Sequence, residues 1–366
     1  MDERRRLALM VLEEGWSLSA VAREFVLSRP TARLWVRRAR EEGLAEMRER
    51  SRRPKTIPNR TAPHVVDRLL AAKDEYPFWG AKKLLAVAWR DGRAPLCLST
   101  ANRILKAHGR VGPACEAKAE PIRFERERAN EMWQADFKGM GTRAFPYRPL
   151  SIIDDSTRFC IAFRPVRSET AEQVWNVLWE LFGEYGLPES LLTDNGAAFA
   201  STRSRLPGRL DAMLWRLGIR TCHGRPYHPQ TQGKVERFHR TVQQELGDRI
   251  RQPTIEEAER EFSLFRDRYN WLRPHEAVGM RAPGAIYTAS KRARPSKLPS
   301  HEIPESSEKR KVDPAGIFTF RMRRYRAGHG LAGQYVEIRE DEQGRAVLFA
   351  GFLIGRMEEM KVERMC

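Results

Sequence analysis

The sequence predicts a multidomain protein in which an all-α N-terminal part precedes a central α/β part with a mixed sheet and a small all-β C-terminal part. Three observations predict this order. Apolar residues recur at helical spacing through the first third of the chain, short apolar segments then alternate with amphipathic helices, and short strand-like segments with glycine-rich or charged turns come last. At 366 residues the chain is long enough for several domains, each with its own core.

The charge of the chain indicates a polyanionic partner. Lys and Arg number 66 against 48 Asp and Glu, which gives a formal net charge of +18. Nucleic acid is the partner that fits best, because distributed basic residues supply most non-specific affinity for phosphate. No apolar segment approaches the ~20 residues of a membrane span and no signal-peptide core follows the N-terminus, so we expect a cytoplasmic protein. The five scattered cysteines suggest neither a zinc site nor a disulfide framework.

The first domain is predicted as a helix-turn-helix. Two amphipathic segments, at residues 5–14 and 18–25, precede a third that Ser28 can cap and whose first turn tolerates Pro30. In a helix-turn-helix, the second helix of the motif enters the major groove of DNA. The alternative is an ordinary three-helix bundle with a solvated basic face.

The third segment carries the predicted DNA-binding face. Its apolar side is predicted to consist of Ala32, Leu34 and Val36, with the basic side chains pointing outward. These predicted DNA contacts are Arg33, Arg37, Arg38 and Arg40. A basic, proline-containing run follows, which suits an extended linker that tracks phosphates, although simple solvation explains it equally well. Its predicted contacts are Arg52, Arg53 and Lys55.

A second helix-turn-helix-like domain is predicted over residues 63–110. Helical patterns begin near Val65 and after Trp79, and a third is expected to be capped from Ser99. The last helix would bring Arg103 and Lys106 near DNA. The alternative is a helical spacer between the first domain and the central one.

The central part contains three acids in unusual positions. Asp136 interrupts a short apolar strand, Asp194 ends another strand, and Glu236 lies on a long helix predicted over residues 233–250. An isolated carboxylate in an apolar interior is very costly, so the two aspartates need partners. Divalent ions would supply them, because Mg²⁺ prefers carboxylate oxygens and two such ions can drive in-line displacement at phosphorus. The alternative is that the acids only form structural salt bridges.

Four segments make a resemblance specific: residues 133–139 (WQADFKG), 193–196 (TDNG), 228–241 (HPQTQGKVERFHRT) and 269–275 (YNWLRPH). In this order they resemble bacterial insertion-sequence transposases with a retroviral-integrase-like core. The resemblance implies an RNase H-like fold and a metal-binding Asp-Asp-Glu triad. It assigns the catalytic and metal-binding roles to Asp136, Asp194 and Glu236, with two Mg²⁺ ions per site and Mn²⁺ as an expected substitute.

The resemblance further implies an enzyme that binds the terminal inverted repeats of a mobile element, hydrolyses phosphodiester bonds at its ends and joins 3′-hydroxyls to target DNA. Its partners would be double-stranded DNA and further copies of itself, as a dimer or larger assembly, in a bacterial nucleoid. DNA-contacting side chains near the triad are expected at Lys234, Arg237 and Arg240. The alternatives are an RNase H-like nuclease that only hydrolyses and a DNA-binding regulator descended from a transposase.

Two features depart from the family pattern. The interval between Asp194 and Glu236 is longer than is typical, which predicts an additional loop at residues 201–208. The family often has a basic residue where this sequence has Gln243. The first departure leaves the triad in place, whereas the second leaves the DNA-contacting residue open.

The C-terminal part is predicted as a small β-barrel similar to the terminal domain of retroviral integrases. Arg321, Arg323, Arg324 and Arg326 would serve DNA binding there, or the domain would serve subunit contacts. The complete predicted division is a helix-turn-helix domain at 1–52, a second such domain at 53–112, a linker at 113–126, the catalytic core at 127–250, a helical extension at 251–288, a basic linker at 289–311 and the barrel at 312–366.

Overall fold

The structure is a computed structural model. It describes residues 3–44, 47, 58, 60–111, 125–139, 145–194, 196, 198, 199, 206–223 and 233–362. The predicted DNA contacts Arg52, Arg53 and Lys55 lie outside the described residues, as do most of the linker at 113–126, residues 201–205 of the additional loop and residues 228–232 of the long motif. The chain divides into two compact units, Met1–Thr61 and Ala62–Cys366.

The first unit contains the predicted three helices. They are α1 (Glu3–Leu12), α2 (Leu18–Glu24) and α3 (Arg29–Glu42). Ser17 caps α2, and Ser28 caps α3 by accepting a hydrogen bond from the amide of Thr31 at 3.3 Å. The cap and the proline in the first turn fix the start of α3, as the sequence predicts.

The apolar face of α3 differs from the predicted one. Trp35 is buried in the core of this unit with Ala32 and Val36, whereas Leu34 is only half-buried and lies outside that core. The indole of Trp35 is covered by the guanidinium of Arg38, whose carbon lies 4.9 Å from the ring centroid. A large aromatic ring buries more apolar area than leucine, so it determines which face turns inward.

The second unit begins with three more helices, α4 (Pro63–Glu75), α5 (Ala81–Ala88) and α6 (Leu98–Ala107). The expected cap of α6 at Ser99 is wrong. The cap position lies two residues earlier, at Cys97, whose side chain makes no capping hydrogen bond. Leu69, Leu84 and Leu105 share one core that joins the three helices.

Five strands form the central sheet. They are β1 (Trp133–Phe137), β2 (Arg148–Asp154), β3 (Cys160–Val166), β4 (Ser190–Thr193) and β5 (Arg220–His223). Their order is β3-β2-β1-β4-β5, in which β2 is antiparallel to both β1 and β3, and β4 is parallel to both β1 and β5. The predicted mixed α/β sheet is confirmed.

Helices cover both faces of this sheet. They are α7 (Ala171–Tyr185) and α8 (Arg209–Arg216) on one face, and α9 (Gly233–Glu245) and α10 (Ile255–Asp267) on the other. The helix predicted to reach residue 250 ends at Glu245, and a short 3-10 turn follows at Gly247–Ile250. Side chains alternate across a strand, so Trp133 and Ala135 of β1 pack beneath α7 and α8. The alternate residues of β1, Gln134 and Asp136, point to the opposite face, which α9 covers.

Two arginines of the predicted basic linker at 289–311 bind the central domain. The guanidinium of Arg292 donates to the carbonyls of Pro188 at 2.6 Å and Leu217 at 2.8 Å. Arg294 donates to the carbonyl of Trp179 at 2.7 Å and lies over its ring. These arginines are bound to backbone carbonyls of the central domain, which a sequence pattern of charge and proline does not reveal.

The C-terminal β unit has six strands, β6 (Glu308–Lys311), β7 (Ile317–Phe320), β8 (Arg323–Arg326), β9 (Tyr335–Asp341), β10 (Gly344–Phe349) and β11 (Phe352–Arg356). They form a four-stranded sheet of order β11-β10-β9-β6 and a separate β7-β8 hairpin around one core. Among the described residues, strand pairing does not close these two sheets into one continuous barrel. No helix in the described part of the chain is long and apolar enough to cross a membrane.

Candidate active site and nucleic-acid interface

Asp136 and Asp194 occupy matching positions on two neighbouring parallel strands. Ala135 of β1 pairs with Thr193, the last residue of β4, so the next residue along each chain segment is an aspartate, Asp136 within β1 and Asp194 directly after β4. The alternation of side chains directs both away from α7 and α8 and toward the face covered by α9. Local strand geometry alone therefore places the two carboxylates side by side.

A close backbone turn follows Asp194. The amide of Gly196 donates to Asp194 Oδ1 at 2.9 Å. A Cβ atom at position 196 would lie 2.9 Å from the same oxygen, which is closer than side-chain contacts allow. A side chain at this position would therefore displace the Asp194 carboxylate, which glycine avoids.

Helix α9 brings two further groups to this face. Val235 and Phe238 are buried against the sheet, which leaves Glu236 exposed on the flank of the helix. One turn later, His239 Nδ1 lies 3.8 Å from Asp136 Oδ2 and its Nε2 is 2.9 Å from the Ser151 hydroxyl. Burial lowers the pKa of His239 to about 3, so the ring is neutral at physiological pH.

The three predicted ligands are electrostatically coupled. Burial raises the pKa of Asp136 to about 7, and the negative charges of Asp194 and, more weakly, Glu236 add to that rise. Like charges that share a site disfavour one another's ionisation. Within the described part of the chain, however, no group of three or more His, Cys, Asp and Glu side chains is arranged so that it could hold a metal ion. Of the other two acids, Asp194 acts more strongly on Asp136 than Glu236 does.

Asp154 and Asp155 have structural partners. Asp154 accepts hydrogen bonds from the amide and hydroxyl of Thr157 at 2.8 and 2.6 Å, which stabilise the turn after β2. Asp155 accepts from Gln134 at 2.6 Å and from the ammonium of Lys234 at 2.8 Å. Lys234 is a predicted DNA contact, but the structure places its side chain, only 14% exposed, against this fully buried carboxylate.

Beside Asp194, three polar side chains are joined by hydrogen bonds that the sequence does not predict. His223 Nε2 lies 3.1 Å from Asp211 Oδ1, and Nδ1 lies 3.1 Å from the hydroxyl of Thr193. The hydrogen bond to Asp211 raises the pKa of His223, while its burial opposes that rise. These two hydrogen bonds link α8 to the end of β4, directly before Asp194. Only the pairing of β4 with β5 brings these residues together.

Most predicted DNA-binding side chains within the described segments are exposed. This holds for Arg33, Arg37, Arg40, Arg103, Lys106, Arg237 and Arg240, whereas Arg38 is half-buried on Trp35. Gln243 lines a shallow cavity of about 230 Å³ together with Lys138 and Arg251. Basic side chains thus stand beside the position where a basic residue was expected.

Parts of the chain match known protein families. Two family descriptions of an integrase core domain match residues 126–229 and 217–283, the region that holds all three acids and the sheet. The chain contains an integrase core. A helix-turn-helix domain matches residues 3–55 and a homeodomain-like domain matches residues 31–105. Regions similar to helix-turn-helix domains thus precede a region similar to integrase core domains, and the predicted fold class is confirmed.

Curated relatives match the same region. The Pol polyprotein of Radiation murine leukemia virus (strain Kaplan) is 32% identical over 126 residues, which cover 34% of this chain and 21% of the polyprotein. The Pol polyprotein of Feline endogenous virus ECE1 is 32% identical over 128 residues, covering 35% of this chain and 12% of that polyprotein. The chain thus spans only a small part of the length of these relatives.

Solved structures similar to this chain include retroviral integrases. The catalytic core domain of BIV integrase is 26% identical, with a TM-score of 0.34, and covers 43% of this chain and 93% of that one. A simian T-cell lymphotropic virus intasome in complex with PP2A regulatory subunit B56 gamma is 18% identical, with a TM-score of 0.38, and covers 80% of this chain and 99% of that one. The HTLV-2 integrase catalytic core domain in complex with magnesium is 17% identical, with a TM-score of 0.34, over 43% of this chain and 96% of that one.

Proposed function

We propose that this protein is a DNA transposase that binds the terminal inverted repeats of its own mobile element, cleaves at the ends and joins the exposed 3′-hydroxyls to target DNA. The integrase core and the helix-turn-helix domains support DNA integration or transposition as the general function. The observation that carries the specific proposal is the matched placement of Asp136 and Asp194 on parallel strands, with Glu236 close enough to raise the pKa of Asp136.

The three carboxylates fit divalent metal ions. They provide only oxygen donors, which Mg²⁺ and Mn²⁺ prefer. Burial, followed by the negative charge of Asp194, raises the pKa of Asp136, and a bound cation would offset both effects. Because Glu236 is exposed on α9, we infer that its side chain moves toward the two aspartates when ions bind. Two ions, when bound, would make the attacking oxygen more nucleophilic and neutralise charge on the leaving oxygen.

The side chains of the site would orient two successive reactions. In the first, water attacks phosphorus at the element end, the bond to the 3′-oxygen breaks, and a 3′-hydroxyl is released. In the second, that hydroxyl attacks a target phosphodiester, and the target's own 3′-oxygen leaves. No protein nucleophile is needed, so Asp136, Asp194 and Glu236 would hold the ions, while the neutral His239 lies beside Asp136 and is held there by its hydrogen bond with Ser151.

DNA would be held by the exposed basic faces on both units. The arginines of α3 suit the major groove, and Arg103 and Lys106 extend along α6 in the second unit. Joining requires two element ends in one complex, so we propose that at least two copies assemble on DNA.

An Mg²⁺-dependent joining assay with DNA ends taken from beside the gene tests the proposal. We expect Asp136→Asn, Asp194→Asn and Glu236→Gln each to abolish joining while DNA binding persists. The matched control is Glu169→Gln. This acid also acts on Asp136 electrostatically, but it is half-exposed and lies beside Arg148 at 3.6 Å, so joining should continue.

Product analysis separates the alternatives. Cleaved but unjoined DNA would indicate a nuclease that only hydrolyses. Specific DNA binding with no cleavage by any divalent ion would indicate a regulator derived from a transposase. If the Glu236→Gln variant still joins DNA ends to target DNA, Glu236 is not a member of the proposed triad.

A further inference from the structure

A cluster of basic side chains lies where α5, α9 and the turn after α10 meet, within the second unit. Arg273 forms its floor, with a side chain only 8% exposed. Its Nη1 is buried and has no hydrogen-bond partner among the described residues. Lys83 of α5 is partly buried above it, and Arg237 of α9 is exposed at the rim.

The acids of this region are already engaged. Glu245 Oε1 accepts a hydrogen bond from the indole of Trp79 at 2.9 Å and lies 3.5 Å from Arg273 Nε. Its other oxygen lies 3.8 Å from Arg268. Glu276 is paired with Lys82, the residue before Lys83, at 3.5 Å.

Lys83 is therefore left with excess positive charge around it. Its ammonium makes no hydrogen bond or ion pair with another residue in the described ranges. Burial lowers the pKa of Lys83 to about 8, with a contribution from the positive charges of Arg273 and Arg237 that Glu245 and Glu276 only partly offset. Partly buried charges are normally paired, so this arrangement favours binding of an anion from outside the chain.

We propose that Lys83, Arg237 and Arg273 form a binding site for one phosphate of the DNA backbone. The inference rests on the proposed function for the identity of the anion as DNA. Arg237 stands one residue after Glu236 on α9, so a phosphate held here would lie on the duplex whose end reaches the carboxylates. The same phosphate would also contact α5. It would thereby connect the helices α4–α6 to α9, the helix that carries Glu236.

The salt dependence of DNA binding by the full chain tests this site. Each phosphate contact contributes about 0.9 to the slope of log K against log salt concentration. We expect Lys83→Gln to reduce that slope by about 1 for a labelled duplex, and Lys83→Arg to restore it. The matched control is Lys82→Gln, which removes the same charge from the adjacent exposed position and should leave the slope near that of the wild type.

Arg237→Gln provides a second variant at an exposed position, should Lys83→Gln fold poorly, and it should lower the slope by a similar amount. Equal slopes for the wild type, Lys83→Gln and Arg237→Gln would overturn the site, as would a wild-type protein with no affinity for DNA. The joining assay is read separately. Absence of joining with a normal slope change would reject the transposase proposal but retain the phosphate site.

Discussion

The side chain of Asn270 pairs with both backbone polar groups of Cys160. Its Oδ1 accepts a hydrogen bond from the Cys160 amide at 2.8 Å, and its Nδ2 donates to the Cys160 carbonyl at 2.9 Å. Cys160 begins β3, which is an edge strand of the central sheet. The carboxamide therefore takes the place that a further strand would occupy, and it ties the segment after α10 to the sheet.

We predict that Asn270→Ala destabilises the central domain by about 2–4 kcal/mol, because two buried backbone groups lose their partners. Asn270→Asp should destabilise it more, since a buried carboxylate cannot donate to the carbonyl and carries an unpaired charge. Hydrogen exchange at the β3 amides measures both effects. Exchange rates equal to those of the wild type would show that the carboxamide contributes no stability to this edge.

We predict that His275 makes the folded protein less stable in acid. Burial lowers its pKa to about 2, and the positive charges of Arg273, Lys83, Arg158 and Arg237 add to that shift. The unfolded chain takes up a proton near pH 6.5, whereas the folded chain does not until a far lower pH. Stability contributed by the neutral ring is therefore present above about pH 6.5 and is lost as the pH falls below it.

The variant His275→Phe keeps an aromatic ring against Tyr269, whose centroid lies 4.6 Å away, and removes the titration. Relative to this variant, the wild type should lose up to about 1.4 kcal/mol per pH unit below pH 6.5. Urea unfolding at pH 7.5, 6.5 and 5.5 measures the difference. A difference that does not change with pH would contradict the prediction.

Side-chain alternation and short motifs were sufficient to predict the acids of the site. The motifs around Asp136 and Asp194 indicate acids in or directly after a strand, and the pairing of Ala135 with Thr193 then brings the two acids to matching positions. The cap at Ser28 follows equally from local chemistry. Where a residue's role depends only on its neighbours in the chain, the sequence indicates it.

Roles that depend on distant partners are different. Strand β6, Glu308–Lys311, consists only of charged residues, and it forms because β9 supplies its backbone partners. Lys234 is indistinguishable from a DNA-binding lysine until Asp155 is found 2.8 Å away. Arg292 likewise appears to belong to a basic tether until its carbonyl partners are placed. Charge patterns identify basic residues but do not show which of them are already bound.

The β7-β8 hairpin contains a strained turn. Its two loop residues, Arg321 and Met322, both have positive φ, at 46° and 63°. Such turns favour glycine or asparagine, because a Cβ atom is crowded in this region. Met322 is 96% exposed, so its side chain contributes little packing. We predict that Met322→Gly stabilises the hairpin by about 1 kcal/mol, read as slower exchange of its amides. Met322→Ala is the control and should give no gain, and a gain of equal size would argue against strain.

The side chain of Trp79 joins α9 to the helices α4–α6. Its indole donates to Glu245 at the last residue of α9, while its ring stacks on Tyr76 with centroids 4.2 Å apart. Trp79→Phe keeps the apolar ring and removes the N–H donor, which leaves the nearly buried carboxylate with one fewer partner. We expect a loss of about 1–3 kcal/mol in the stability of this junction.

Hydrogen exchange and limited proteolysis of α4–α6 measure this loss. Trp89→Phe is the matched control, because the guanidinium of Arg68 covers that ring and its indole N–H makes no hydrogen bond within the described residues. A double-mutant cycle with Glu245→Gln then isolates the pair. Coupling near zero would show that Trp79 stabilises the junction through packing alone. A coupling of 0.5 kcal/mol or more, the usual size for residues in direct contact, would show that the hydrogen bond holds the end of the helix that carries Glu236.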